Sequence, residues 1–466
     1  MGMTGAEEIQ LLKQKEHILN GVPFFDVVRP CRIDDGIIQL SSEEQIQFKH
    51  RFDLLEKQLS FFIPASGSGS RMFQFLYDYL NETTETNQAQ TEQFIRRISS
   101  FAFYKYFPAD VKEKVENFTW SIEDLIAYVL GEGGLNFGLF PKGLIPFHSL
   151  GPFILNPFQE QLIQGSNLVK HSIDFHFTIQ SNFEKHFQLA IQSLSEMTGD
   201  EYSVTYSEQD SRTDSFAFYL DGTIVLGDDG EPIRRPAGHG TLLSNLAQMK
   251  SDYVLVKNID NLQHFSQSEA STVQWKILVG LLDQVKETLC QLNEHPSISE
   301  FAKLNERYHL VQENEVNTLE DLKKVIRRPL RICGMVRNEG QPGGGPFFVQ
   351  KNGVTRKQIV EKAQLAKTDK VHALLMQSTH FNPVMMVLDF KDPEGKSYDL
   401  FDFREEDDYF VVEKNHQGKT IQFIEQPGLW NGGMSKWNTI FIEIPNDVFT
   451  PVKTVLDLLQ AAHQSV

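Results

Sequence analysis

The stretch FFIPASGSGSRMFQFL, residues 61–76, sets an apolar run and a proline ahead of Ser66, Gly67, Ser68, Gly69, Ser70 and Arg71. The residues after Arg71 have the apolar spacing of a helix. Backbone amides at a helix N-terminus point into the loop before it, and the helix dipole favours an anion there. Small residues let a phosphate approach those amides, and Arg71 adds a fixed cation. ASGSGSR reads either as a triphosphate cradle or as a tight strand-to-helix turn that binds nothing. It is not a Walker loop, since it lacks Gly-Lys-Ser/Thr, nor a dinucleotide fingerprint, since Met72 stands at the third glycine position.

Three other stretches carry groups of the same kind. FPKGLIPF (140–147) holds Lys142 between a proline and an apolar run. RPAGHGTLL (235–243) sets Gly238, His239 and Gly240 at the start of a helix. DYVLVKNIDNL (252–262) is a strand whose end carries Asn258, Asp260 and Asn261. Ligands of α/β sheets bind at the carboxyl ends of strands. Asp260 there is either a Mg²⁺ ligand, since that ion takes one or two carboxylates plus substrate phosphates, or a cap for the next turn.

Other chemistries are disfavoured. The 14 histidines show no HExxH or other paired zinc spacing, and Cys31, Cys290 and Cys333 are too far apart for a metal motif. No Ser-His-Asp or Cys-His constellation stands out. A net charge of −18 argues against a nucleic-acid partner but leaves room for a single nucleotide met by local cations. No apolar run is long enough to span a membrane, and MGMTGAEEIQLLKQKEHIL has no signal-like core. With its sparse cysteines, the chain is expected in the cytoplasm. Its 36 phenylalanines are expected to form the core.

These groups need a scaffold. At 466 residues, with 40% hydrophobic and 23% charged residues, the chain suits a large α/β domain with insertions or two to three domains. Helices are expected over 4–20 and 41–59, a buried strand at SFFIP, and helices through most of 72–130 with a break at Pro108. A Gly/Pro-punctuated loop occupies 131–147. DFHFTI, YSVTY and DYVLVKNID read as strands alternating with helices at NFEKHFQLAIQSLSEM and GTLLSNLAQM, which favours a mixed or parallel central sheet. The Asp-Gly pairs of YLDGTIVLGDDGEP suit hairpin turns. Residues 266–326 return to helix, and short β-like runs from PLRICGMV lead to a closing helix at VKTVLDLLQAAH. GQPGGGP (340–346) reads as a mobile connection or a second anion loop. WNGGMSKWN (430–438) reads as a tight turn with packed tryptophans or an aromatic sugar platform, and REEDDY (404–409) as a solvated turn.

The order of GxGxR, Pro-Lys, Gly-His-Gly and an Asn-x-Asp-Asn strand end resembles that of the UDP-sugar pyrophosphorylases, nucleotidyltransferases of GT-A-like fold. FTPVKTVLDLL (449–459) resembles the stretch bearing their distal phosphate-binding lysine. THFNPVMMVL (379–388) resembles their later sugar-site strand, and SEQD around Gln209 a glutamine motif ahead of Gly-His-Gly. Over nearly the whole chain, RPAGHG, PLRICGMVRNEGQPGGGPF, THFNPV and GLWNGGMSKWNTIFIEIP look like the bacterial family catalogued as domain of unknown function 4301.

The pyrophosphorylase resemblance implies a GT-A-like (Rossmann-like) core with a mixed sheet. It would comprise an N-terminal helical segment 1–58, a core 59–330 with a helical insertion 74–134, and a C-terminal part 331–466. Ser66, Gly67, Ser68, Gly69 and Ser70 would cradle the nucleotide phosphates, with Arg71 on the leaving pyrophosphate and Lys142 near it or the α-phosphate. Gly238, His239 and Gly240 would lie against the base, with Gln209 a further base contact. Asp260 would hold Mg²⁺, His380 and Asn382 would serve the sugar, and Lys453 would bridge the phosphates. The partners would be a nucleoside triphosphate, UTP favoured, and a sugar 1-phosphate, joined to give a nucleotide sugar and pyrophosphate. The alternatives are a non-catalytic nucleotide-binding protein and a GT-A glycosyltransferase. Three departures stand out: about 70 residues between Arg71 and Lys142, which either cap the site or displace Lys142; Ala237 in place of a glycine; and no assigned second acid, Asp389 and Asp402 both being candidates.

Overall fold

A computed structural model of the chain describes residues 4–169, 173–312, 315–340, 344–351 and 353–465. Residues 341–343, the middle of the GQPGGGP loop, lie outside that set. The chain divides into two compact units, each assembled from separate stretches: 1–57, 209–255 and 277–444 in the first, and 58–208, 256–276 and 445–466 in the second.

In the first unit a mixed sheet runs in the order Arg32–Ile33, Gly36–Ile38, Asn438–Glu443, Leu330–Arg337, Met385–Asp389. Leu330–Arg337 is its axis, parallel to one neighbour (Ile332 opposite Ile440) and antiparallel to the other (Ile332 opposite Val387). Seven of its eight residues are buried, as suits a strand covered on both faces. A smaller antiparallel sheet pairs Asp26–Pro30 with the hairpin Gly345–Lys351 and Val354–Val360. The segment expected to be a helical arm thus carries three short strands between its helices Gly5–Asn20 and Ser42–Asp53. Each helix starts on a capping box, Thr4 with Glu7 and Ser41 with Glu44, which satisfies two otherwise orphaned amides.

The second unit holds parallel strands Leu59–Pro64, Asp174–Thr178 and Ser203–Ser207, in register from Ser60 opposite Asp174 to Thr178 opposite Ser207. Tyr253–Lys257 straddles the division, its last two residues belonging here. The insertion after Arg71 is helical as expected, with α-helices Gln74–Asn81, Glu85–Arg96, Ala109–Glu116 and Ile122–Leu130. Phe73, Phe94, Phe101, Phe103 and Phe107 fill its core together with Ile145, Val452 and Val455. Ring centroids of 5.2 Å for Phe101 and Phe103 and 5.3 Å for Phe94 and Phe101 show direct aromatic packing. The phenylalanine excess is core, and the insertion braces the segments on either side of Lys142 and Lys453.

Several sequence expectations need correction. VKTVLDLLQAAH forms two 3₁₀ turns, Val455–Leu459 and Ala461–His463, instead of a helix, because Gln460 between them takes an extended conformation (φ −71°, ψ 154°). GTLLSNLAQM yields only a 3₁₀ turn and the four-residue helix Leu243–Leu246. The helix expected to reach 59 ends at Asp53, and Leu59 opens the strand. REEDDY is not wholly solvated: Asp408 is buried and accepts from Lys351 Nζ at 2.9 Å. The Asp-Gly stretch makes tight turns as expected, with Gly222 and Gly230 at positive φ.

Candidate functional site

The serine-glycine loop in the second unit is held from within. Ser68 Oγ accepts from the Ser70 amide at 3.2 Å, and the Gly69 amide donates to the Phe140 carbonyl at 2.9 Å. The Lys142 amide donates back to the Gly67 carbonyl at 3.0 Å, so the Pro-Lys segment is stitched to the loop despite the long insertion. Two amides of the expected cradle, those of Gly69 and Ser70, are therefore spent on the loop itself. Gly67 and Ser68 are exposed, and Arg71 is exposed in the middle of the 3₁₀ turn Gly69–Phe73. A Cβ on Gly69 would lie 2.2 Å from Ile145 Cδ1 and 2.8 Å from the Phe140 oxygen, whereas one on Gly67 would meet nothing. Gly69 is a packing requirement, whereas Gly67 borders open space.

Lys142 turns its ammonium onto Asp260 Oδ2 at 2.8 Å and the Val452 carbonyl at 3.0 Å. Lys453 Nζ reaches the same oxygen at 3.1 Å. The C-terminal segment is laid along the strand end: the Val452 amide donates to the Asp260 carbonyl at 3.0 Å, and the Thr450 amide to Asn261 Oδ1 at 3.0 Å. Burial alone would raise the Asp260 carboxyl, but the two ammonium groups outweigh it and hold it below the usual range. Asp260 is thus an ion-pair centre and not a helix cap. Lys142 is nearly enclosed, with 13% of its side chain exposed, while Lys453 keeps 51%.

Sequence reasoning missed the support behind this centre. Helix Pro157–Ser166 starts on Asn156, with Pro157 pre-set for the first turn, and projects buried polar side chains. Gln161 Nε2 donates to the Asn258 and Ile259 carbonyls at 3.3 Å each, and Gln164 Nε2 to the Gln263 carbonyl at 2.8 Å. Glu160 accepts from His148 Nδ1 at 2.8 Å, and His148 Nε2 faces His463 Nδ1 at 3.0 Å. The only available signal was NPFQEQLIQ, four polar residues in an otherwise apolar helix. Lys257, three residues before Asp260, is fully enclosed; burial lowers its ammonium to about 8, against the opposing pull of Glu160.

The remaining expected residues lie in the first unit. Gly238 has φ +72°, and a Cβ on Gly240 would sit 2.3 Å from the Pro427 oxygen. The Gly-His-Gly turn is therefore required by its own backbone packing. His239 Nδ1 accepts from the Leu429 amide at 3.0 Å, which leaves Nε2 to donate to Glu361 Oε1 at 3.2 Å. Its ring stacks on Trp430 at 4.2 Å. Gln209 keeps a buried Nε2 without a partner. His380 Nε2 lies 3.4 Å from Glu443 Oε1, and Asn382 Oδ1 accepts from the amide of Val384, which sits at φ +58°. That is strained for a β-branched residue. Trp437 is buried against Phe390, in keeping with the tight-turn reading of WNGGMSKWN.

The family model described as "Domain of unknown function (DUF4301)" matches residues 1–464. The chain belongs to that family. No curated protein matches it. Among solved structures it is similar to the uridine diphosphate N-acetylglucosamine pyrophosphorylase of Trypanosoma brucei, solved with an inhibitor, at 12% identity. That match covers 98% of this chain and 76% of the other, with a TM-score of 0.52. A UDP-glucose phosphorylase of Trypanosoma brucei matches at 13% identity over 98% and 78% of the two chains, TM-score 0.47. The family and the pyrophosphorylase likeness expected from the motifs are both found, and the first match shows a shared α/β fold.

Magnesium was expected at Asp260. No group of three or more potential metal-ligating His, Cys, Asp or Glu occurs among the described residues of this DUF4301 chain. Asp260 offers one carboxylate, which fits an ion brought in and mostly ligated by substrate phosphates. Of the two candidate second acids, Asp389 is buried and paired with Lys286 at 2.7 Å, and Asp402 lies in the 3₁₀ turn Leu400–Phe403. Both belong to the first unit.

Proposed function

We propose that this protein is a nucleotidyltransferase of the sugar-nucleotide pyrophosphorylase type. It would join a nucleoside triphosphate, UTP favoured, to a sugar 1-phosphate and release pyrophosphate. The observation that carries the reading is the sharing of one buried carboxylate, Asp260, by Lys142 and Lys453 beside the open Gly67–Ser68 loop. Two cations on one anion leave a positive surplus where a phosphate chain is expected, and a polyphosphate would draw both ammonium groups onto its oxygens.

In this reading Lys142, Lys453 and Arg71 bind the phosphates and stabilise charge as the α–β bond breaks. The sugar phosphate is already ionised near neutral pH, so no general base is needed, and positioning does the rest. Magnesium, when bound with the triphosphate, would be held by Asp260 and would supply charge neutralisation at the α-phosphate. Gln209 would contact the base, beside Gly238, His239 and Gly240. Its orphaned amide nitrogen supports that role. His380 and Asn382 would serve the sugar.

The test is pyrophosphate release with magnesium, four nucleoside triphosphates and a pool of sugar 1-phosphates. Lys453→Met serves as the control because its side chain is half exposed and its loss is expected to leave the fold intact. Release requiring one triphosphate, one sugar phosphate and Lys453 would establish the reading. Silence across the panel, with a triphosphate still raising the melting temperature, would favour a nucleotide-binding protein without turnover.

A further inference from the structure

Asp260 is 6% exposed, and both ammonium groups that neutralise it sit on a single oxygen, Oδ2. The two lysines are held differently. Lys142 is nearly enclosed and keeps a second acceptor, the Val452 carbonyl at 3.0 Å. With three N–H donors it can turn one toward an anion without leaving either partner. Lys453 has no second acceptor among the described residues, and half of its side chain faces solvent. Its backbone is fixed instead: the Lys453 and Thr454 amides both donate to Asp457 Oδ2 at 2.7 Å. A pinned backbone with a flexible four-carbon stem lets the ammonium swing while the segment stays in place.

Two ammonium groups on one carboxylate leave a single net positive charge. An anion that drew Lys453 away would leave the buried Asp260 with one partner, which is strongly unfavourable unless another cation takes the position. A divalent cation carried in by a polyphosphate fits there, since it needs only one or two protein carboxylates beside phosphate oxygens. A bare polyphosphate brings no such replacement, and its own charge is repelled by the carboxylate it uncovers.

We propose that the Lys453 ammonium is a placeholder for a divalent cation: it occupies Asp260 while the site is empty, swings onto the polyphosphate as this binds, and leaves the carboxylate open to the cation that comes with it. The site thereby selects the metal complex of a polyphosphate over the bare anion. This rests on the polyphosphate site proposed above, but not on which transfer reaction follows binding.

The test is calorimetric binding of inorganic tripolyphosphate to the full chain, with and without magnesium, at fixed ionic strength. The parent is expected to bind the magnesium complex about tenfold more tightly than the bare anion. Asp260→Asn is expected to bind the bare anion about tenfold more tightly than the parent does, because Lys453 is released and a repelling charge is gone, and to gain nothing from magnesium. Should that variant not fold, Lys453→Met leaves Asp260 with Lys142 alone. Its affinity for the bare anion is expected to fall and its gain from magnesium to exceed the parent's. A magnesium gain that persists in Asp260→Asn, bare-anion binding no tighter there than in the parent, a gain in Lys453→Met no larger than the parent's, or no tripolyphosphate binding to any form would overturn the placeholder. Pyrophosphate release is scored separately. The expected binding pattern with a silent release assay would end the transferase reading and keep the placeholder, and release with binding indifferent to magnesium would do the reverse.

Discussion

Lys142 and Lys453, from two separate stretches of the second unit, donate to the same oxygen of Asp260 at 2.8 and 3.1 Å. Removing that carboxylate strands an enclosed ammonium. Asp260→Ala is therefore expected to destabilise the protein by about 3–5 kcal/mol, as when one partner of a buried pair is deleted. Asp260→Asn, which keeps an acceptor, should cost less. Urea unfolding of the two variants checks this. Equal stabilities for Asp260→Ala and the parent would mean that the ion pair does not organise the strand end.

The two lysines should separate stability from chemistry. Lys142 is nearly enclosed and also holds the Val452 carbonyl, so Lys142→Met is expected to weaken both fold and turnover. Lys453 is half exposed, so Lys453→Met should stay within about 1 kcal/mol of the parent. Its pyrophosphate release should nonetheless fall by about 100-fold, the usual loss when one charge-stabilising group is removed. Unchanged release would take Lys453 out of the phosphate site.

The glycines of the loop make a paired experiment. Gly69→Ala forces a Cβ against Ile145 and the Phe140 oxygen and is expected to cost about 1–3 kcal/mol by overpacking. Gly67→Ala has free space and should change stability by no more than about 0.5 kcal/mol. If phosphates pass over Gly67, that silent substitution will still weaken triphosphate binding, measured by calorimetry. Intact binding would move the phosphates elsewhere on the loop.

The legible part of the site came from local chemistry. The Ser-Gly loop, Lys142, Asp260 and Lys453 could be named because each sits in a short motif with a mechanical reason for its residue types. That three of them converge was not legible: the link passes through the Phe140–Gly69 and Val452–Asp260 backbone bonds, which leave no side-chain pattern. Gly-His-Gly is less informative for a related reason. Its glycines answer to the Gln426–Pro427 backbone, a contact far off in sequence, so their identity alone does not establish a ligand. The closing segment differs because VKTVLDLLQAAH has helical spacing and a Thr454–Asp457 start signal, while the extended backbone at Gln460 divides it into two 3₁₀ turns.

The last expectation concerns acid. His463 is enclosed beside His148, and burial first, then that neighbour, push its imidazole down to about 3. In the unfolded chain the same group titrates near about 6.5. Between those values the unfolded state binds a proton that the folded state refuses. This contribution to stability is complete above about 6.5 and is lost as pH falls toward about 3, with a slope of up to about 1.4 kcal/mol per pH unit. Glu160 and His264 also face His148, so the absolute curve will mix several groups. The difference between the parent and His463→Gln isolates the one in question. Urea midpoints taken from about pH 7 down to about pH 5 should fall more steeply for the parent than for the variant. His463 lies in the segment whose Ala462 carbonyl accepts from the His264 amide and which carries Lys453 ahead of it. The same acid range should therefore weaken triphosphate binding in the parent before global unfolding, and parallel curves for the two proteins would remove His463 from the acid response.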